Sequence, residues 1–146
     1  MIEDDRPRRL MWWGMALFLA GLVTGLIQNN LANPRMGLSA HLEGLMNGTF
    51  LLALGGVWRH IRLSPRGLSV TFASALYGGI ANWAVTLGAA VLGTSSMTPL
   101  AGKGFAAAPW QEILISVGFV SVGLAMLVMA GLALWGLRAA VNGQGA

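Results

Sequence analysis

The fold is decided first by an apolar run in the N-terminal part of the chain, Leu10-Met-Trp-Trp-Gly-Met-Ala-Leu-Phe-Leu-Ala-Gly-Leu-Val-Thr-Gly-Leu-Ile27. No residue in this run is charged. A helix needs about 20 mainly apolar residues to cross a bilayer. The run therefore predicts a transmembrane helix, with lipid around most of its surface.

Three further stretches have the same character, at residues 38–57, 68–92 and 113–137. Hydrophobic residues make up 55% of the 146-residue chain and charged residues only 10%, against about 25% charged residues in a typical soluble domain. The sequence predicts an all-α protein, with residues 1–146 forming one membrane domain of four transmembrane helices at about 10–27, 38–57, 68–92 and 113–137.

The basic residues are distributed unequally between the two sides of these four helices. One side would carry only Arg35 and Lys103, and the other would carry seven arginines, which are Arg6, Arg8, Arg9, Arg59, Arg62, Arg66 and Arg138. Because lysine and arginine accumulate in cytoplasmic segments, both termini are expected in the cytoplasm, in a bacterial inner membrane. The charges lie between apolar runs and form no continuous face, so the net charge of +4 does not indicate a nucleic-acid partner.

Polar residues within the predicted helices are the candidates for function, because they are costly inside a bilayer. Helix 2 contains His41, Glu43 and Asn47, and helix 3 contains Asn82 and Thr86. At a rise of about 1.5 Å per residue, both asparagines lie roughly 15 Å from the outer ends of their helices. Antiparallel packing of helices 2 and 3 would bring all five side chains into one layer.

The directions of these side chains limit how they can share a site. Glu43 and Asn47 are four residues apart and share a helix face, as do Asn82 and Thr86, whereas His41 points about 120° away from Asn47 on a regular helix. Either the helix is irregular near residue 44, or His41 and Asn47 face different neighbours. The second alternative implies an oligomer with a site at each subunit boundary.

Each candidate also has a purely structural interpretation. His41 could form a hydrogen bond within a helix interface, Glu43 could pair with Arg35, and Asn82 and Thr86 could join two helices. The chain has no cysteine and one histidine within the predicted helices, too few ligands for a structural zinc site. Heme iron is the compatible metal centre, since it needs as few as one protein ligand.

The pattern His41-x5-Asn47-Gly48, near the start of the second of four helices, resembles the styrene oxide isomerases. The longer run from Asn33 to Gly48 looks like the bacterial hydroxylaminobenzene mutases. The resemblance implies a homotrimer with heme b, in which His41 is the axial iron ligand and Asn47 and Asn82 line the pocket. Thr86 stands where the epoxide isomerases have a tyrosine, and Glu43 is an acid that they lack.

These departures favour conversion of an arylhydroxylamine, a small aromatic substrate, to an aminophenol. A carboxylic acid such as Glu43 could donate a proton and later accept one, beside Asn47, Asn82 and Thr86. Three alternatives remain at this point: isomerisation of an epoxide to an aldehyde, a non-enzymatic heme-b membrane anchor, and a small transporter. A transporter would usually show an internal repeat or broken helices.

Overall fold

The computed structural model describes residues 4–141, with side chains over residues 4–138. The described chain consists of helices joined by loops, as predicted. The long helices are α1 (Arg6–Ile27), α2 (Pro34–Val57), α3 (Pro65–Leu92) and α4 (Pro109–Val141), and short 3-10 helices (Gln28–Asn30 and Trp58–His60) follow α1 and α2.

Each helix begins three or four residues before its apolar run, because the starts are set by proline and by capping side chains. The side chain of Asn33 accepts hydrogen bonds from the backbone of Arg35 and Met36, at 3.1 and 3.2 Å, and Ser64 caps α3 in the same way. Such caps satisfy backbone N–H groups that have no partner within the helix. A hydropathy pattern does not detect polar capping residues, so the apolar runs begin three or four residues after the helices themselves.

The tightest helix packing is between α1 and α2, where glycines allow the two backbones to touch. A Cβ atom placed on Gly21 would lie 2.7 Å from the backbone nitrogen of Leu45, and one on Gly48 would lie 2.6 Å from that of Phe18. Small residues permit this approach in membrane helices. The other helices follow in chain order, with α2 packed on α3 and α3 on α4.

Among the described residues, three segments are long and apolar enough to cross a membrane, namely Arg6–Asn30, Pro65–Leu92 and Pro109–Arg138. The prediction of membrane helices is confirmed for these three. Helix α2 has 24 residues, which is sufficient length, but its polar residues lower its hydropathy. Its passage through the bilayer, the orientation of the termini and the oligomeric state remain predictions.

The loop between α3 and α4 lies against the start of α2. The Asn33 side chain donates to the backbone oxygen of Ala101 at 3.0 Å, and the Arg35 guanidinium donates to that of Lys103. The carboxylate of Glu112 accepts hydrogen bonds from two backbone N–H groups of the same loop. These contacts fix the loop over the end of the bundle nearest to the polar layer.

Candidate functional site

The centre of the candidate site is the carboxyl group of Glu43, held between α2 and α3. Its Oε2 atom accepts a hydrogen bond from Nδ2 of Asn47 at 2.9 Å and another from Nδ2 of Asn82 at 2.6 Å. Asn47 is one turn further along α2, and Asn82 belongs to the antiparallel α3. The structure thus brings together three of the five predicted polar residues.

Both amide donors point at the same carboxyl oxygen, which distinguishes the two oxygens of Glu43. Oε2 is engaged by Asn47 and Asn82, and Oε1 has no recorded hydrogen bond to the described part of the chain. Glu43 is half-buried and Asn47 is 93% buried, so the group is held away from bulk solvent. A proton on Oε1 would leave the Oε2 hydrogen bonds intact, so this carboxyl can donate or accept a proton without moving its supports.

His41 lies against α1, with Nδ1 at 2.8 Å from the backbone oxygen of Gly21. A carbonyl oxygen can only accept, so Nδ1 carries a hydrogen, and in the neutral ring Nε2 has the lone pair. The ring lies over Gly25, where an added Cβ would be 2.6 Å from Nδ1. Metal-bound histidines usually donate their other ring N–H to a carbonyl or carboxylate in this way.

Helix α2 is a continuous α-helix from Pro34 to Val57, so the structure shows no irregularity near residue 44. His41 contacts α1, whereas Glu43 and Asn47 contact Asn82 on α3. Residues two apart on a helix point about 200° from each other. Within one copy of the chain, His41 and Glu43 therefore lie on opposite sides of α2.

The fifth predicted residue, Thr86, is buried, with 3% of its surface exposed, one turn along α3 from Asn82. The hydrogen bonds of Glu43 in the described chain go to the two asparagines and not to Thr86. The alternative pairing of Glu43 with Arg35 is also not what the structure shows, because the Arg35 guanidinium lies 5.6 Å from the centre of the Phe105 ring and bonds the neighbouring loop.

Sequence reasoning missed a hydrogen bond that joins α3 to α1 beside this site. The indole nitrogen of Trp83 donates to Oγ1 of Thr24 at 3.1 Å, and Thr24 donates in turn to the backbone oxygen of Ala20 at 2.8 Å. Thr24 is the only hydroxyl residue in the first apolar run, which was a usable signal. The contact fixes the indole against Gly44 and supports the arrangement of α1, α2 and α3.

Metal binding by a cluster of side chains does not fit the residues present. Over residues 4–138, no group of three or more histidine, cysteine, aspartate or glutamate side chains is placed to hold an ion. A group whose metal needs a single protein ligand does fit His41, because its tautomer leaves Nε2 available. Several exposed apolar side chains flank this residue on α2, among them Leu38 and Leu42, as an apolar macrocycle would require.

The family is decided by comparison with known proteins. A family model described as styrene oxide isomerase matches residues 6–138, which cover all four helices apart from the last turn of α4. The chain belongs to the styrene oxide isomerase family. The match shows that the resemblance to this family, which the sequence carries around His41 and Asn47, covers residues 6–138.

Two curated members are similar over most of the chain. Hydroxylaminobenzene mutase HabB of Ectopseudomonas oleovorans is 48% identical over 141 residues, which are 94% of this chain and 86% of that protein. Hydroxylaminobenzene mutase HabA of the same organism is 36% identical over 104 residues, covering 70% of this chain and 77% of that protein. No solved structure matches the chain. As a member of this family, the protein is an enzyme of the isomerase class.

Proposed function

We propose that the protein is a membrane-bound mutase that converts an arylhydroxylamine, such as hydroxylaminobenzene, to an aminophenol. The observation that carries the proposal is the Glu43 carboxyl, which accepts hydrogen bonds from both Asn47 and Asn82. It occurs in a chain that is 48% identical to a hydroxylaminobenzene mutase. The reaction needs an acid and then a base at one place, and this carboxyl can be both.

The bond changes define what the chain must do. The N–O bond breaks with its electron pair on oxygen, a C–O bond forms on the ring, and the hydrogen on that ring carbon leaves as a proton. The donated proton ends on nitrogen, which becomes an amine. One proton is added and one is removed from the ring carbon, so the overall change is an isomerisation and no external electron is required. Glu43 would donate the first proton and accept the second, through Oε1.

The two asparagines act on Glu43 in this scheme. Their Nδ2 atoms donate hydrogen bonds to Oε2 at 2.9 and 2.6 Å, so they hold the carboxyl in one orientation. Their Oδ1 atoms can accept a hydrogen bond from the hydroxylamine. Thr86, one turn from Asn82, would line the same side of the pocket.

We further propose heme b as the cofactor, held through Nε2 of His41. When bound there, the iron would supply a Lewis acid for the hydroxylamine oxygen. The chain's own contribution is orientation, because the Nδ1–H bond to Gly21 fixes the imidazole ring and its tautomer. The absence of a side chain at Gly25 leaves space for the ring.

The opposite directions of His41 and Glu43 imply that one substrate meets them from two subunits. We propose a homotrimer in which His41 of one copy faces the Glu43 and Asn82 side of the next, as in a cyclic, head-to-tail interface. The four helices would span the bacterial inner membrane with both termini in the cytoplasm, since seven arginines lie at that end.

The proton-transfer role is tested with Glu43→Gln, which keeps the size and one acceptor oxygen of the side chain. Turnover of hydroxylaminobenzene should fall by at least about 100-fold, the usual contribution of acid–base catalysis. The matched control is Glu112→Gln in the first turn of α4, which should keep its turnover. Wild-type turnover by Glu43→Gln protein would contradict the role.

The cofactor proposal is tested by the absorption spectrum and the pyridine hemochromogen assay. Purified wild-type protein should show a Soret band, His41→Ala should lose it, and His60→Ala should retain it, because His60 lies in the 3-10 helix after α2. A wild-type protein without heme would refute the cofactor while leaving the mutase assignment to its own assay.

The shared site is tested by mixing two inactive variants. Co-expressed His41→Ala and Glu43→Gln chains should regain activity, because about one quarter of the boundaries in random trimers would join intact residues from both. A chain that carries both substitutions, expressed alone, should remain inactive. Absence of recovery in mixed trimers would refute the boundary site.

Epoxide isomerisation is the second candidate, favoured by the name of the matching family model. Threonine at position 86 is its weakness, since the resemblance places a tyrosine there. Side-by-side assays with styrene oxide and hydroxylaminobenzene separate the two activities. The mutase proposal requires the higher kcat/KM with hydroxylaminobenzene.

A further inference from the structure

A groove at the N-terminal end of α1 has no part in the chemistry described above. It has a volume of about 390 Å³ and is lined by Arg8, Arg9, Trp12 and Trp13. The two indole rings meet edge to face with their centres 4.8 Å apart, and Trp12 is 63% exposed. The groove therefore contains two guanidinium groups and, one helical turn further into the apolar run, an exposed aromatic surface.

The two arginines are held in place by residues outside the groove lining. The Arg9 guanidinium lies over the Phe72 ring, 5.1 Å from its centre, and Nε of Arg8 bonds Oδ1 of Asp5 at 3.0 Å. That contact leaves the terminal nitrogens of Arg8 free to donate elsewhere. The ion pairs among residues 4–138 involve Arg6 and Arg8, so the charge of Arg9 is not neutralised by a carboxylate there.

The environment of this groove favours an anion with an apolar attachment. No acidic residue lines it, and the N-terminus of α1 adds a partial positive charge. Arginine forms forked hydrogen bonds to phosphate oxygens, and tryptophan prefers the depth of the lipid headgroups. A diffusible inorganic anion would use the arginines and leave the indole surface unexplained.

A second groove that contains an arginine and a tryptophan lies at the same end of the bundle, on α4. It has a volume of about 460 Å³ and is lined by Gly131, Leu134, Trp135, Leu137 and Arg138. It again combines an arginine and a tryptophan with an apolar wall. Both grooves lie at the ends of apolar helices, at the level where lipid acyl chains meet the headgroups.

We propose that the α1 groove is a binding site for an anionic phospholipid of the cytoplasmic leaflet. The phosphate group lies between Arg8 and Arg9, and an acyl chain runs along Trp12 and Trp13. The occupant is a lipid and not free phosphate, because half of the lining is indole. The proposal is independent of the mutase chemistry, since none of these residues belongs to the Glu43 site.

The test is thermal unfolding of purified protein in phosphatidylcholine nanodiscs with and without 20 mol% phosphatidylglycerol. We expect phosphatidylglycerol to raise Tm by about 3–6 °C in the wild type and not in the Arg8→Gln/Arg9→Gln double variant. Arg66→Gln is the matched control, an arginine at the same end but outside the groove, and it should keep the shift. Native mass spectrometry should retain one more phosphatidylglycerol on the wild type than on the double variant.

Three results would overturn the proposal. If Arg66→Gln loses the shift to the same extent, the effect is general attraction between basic residues and an anionic bilayer. If inorganic phosphate in neutral detergent gives the same shift, the groove binds an ion and not a lipid. A Trp12→Ala/Trp13→Ala variant that keeps the full shift would likewise contradict the acyl-chain contact.

Discussion

Replacement of Gly44 by alanine tests the close contact between α1 and α2 on which both halves of the candidate site depend. A Cβ atom there would lie 2.8 Å from the backbone nitrogen of Gly21 and nearer still to its Cα. Because carbon atoms rest at about 3.5–4.0 Å, the two helices would have to separate by about 1 Å. The obstructing atoms are backbone, so no side-chain rotation can relieve the clash.

Overpacking of this kind costs about 1–3 kcal/mol. The matched control is Gly56→Ala in the same helix, where an added Cβ meets nothing within 4 Å and alanine should stabilise the helix by roughly 0.5–1 kcal/mol. The two variants should therefore differ by about 1.5–4 kcal/mol in free energy of unfolding, or roughly 4–12 °C in Tm.

Intrinsic tryptophan fluorescence during heating is a suitable assay, because the Trp83 ring contacts Gly44. We expect Gly44→Ala to unfold earlier than the wild type and Gly56→Ala to unfold at the same temperature or later. If Gly44→Ala is as stable as Gly56→Ala, the two backbones do not approach as described. The account of how His41 is oriented against α1 would then fail as well.

Two further predictions concern the polar residues. Asn82→Ala removes the 2.6 Å hydrogen bond to Glu43 and should lower kcat by about 10-fold or more, with a changed pH–rate profile. An unaltered profile would mean that Asn82 does not act through the carboxyl. Gly25→Ala places a Cβ 2.6 Å from Nδ1 of His41, so the ring must turn and the Soret maximum should shift. Gly131→Ala, which meets no neighbour, should leave that spectrum unchanged.

Much of the fold could be predicted because it depends on local sequence. Apolar runs gave the helix centres, and the antiparallel order of α2 and α3 predicted that polar residues of both helices would meet, as Asn47 and Asn82 do at Glu43. The 120° angle between His41 and Asn47 correctly separated the two directions. These inferences need only helix geometry and the order of the helices.

The contacts that could not be predicted depend on which helix packs against which face. Nothing in the sequence indicates that His41 donates to the backbone oxygen of Gly21, because any carbonyl on a neighbouring helix would have served. The sharing of one Glu43 oxygen by two asparagines is likewise a matter of side-chain rotamers. Thr86 was grouped with Glu43 by depth and by the helix face that it shares with Asn82, but the hydrogen bonds of the carboxyl in the described chain go to Asn47 and Asn82.

Gly21 has two contacts that are usually made by separate residues: its backbone is where α2 approaches most closely, and its carbonyl oxygen accepts a hydrogen bond from Nδ1 of His41. Any change in the spacing of α1 and α2 is therefore transmitted directly to the imidazole. If His41 holds a heme, the absorption spectrum of that heme reports the spacing of α1 and α2. Changes in lipid thickness or lateral pressure that alter that spacing would then be visible as colour.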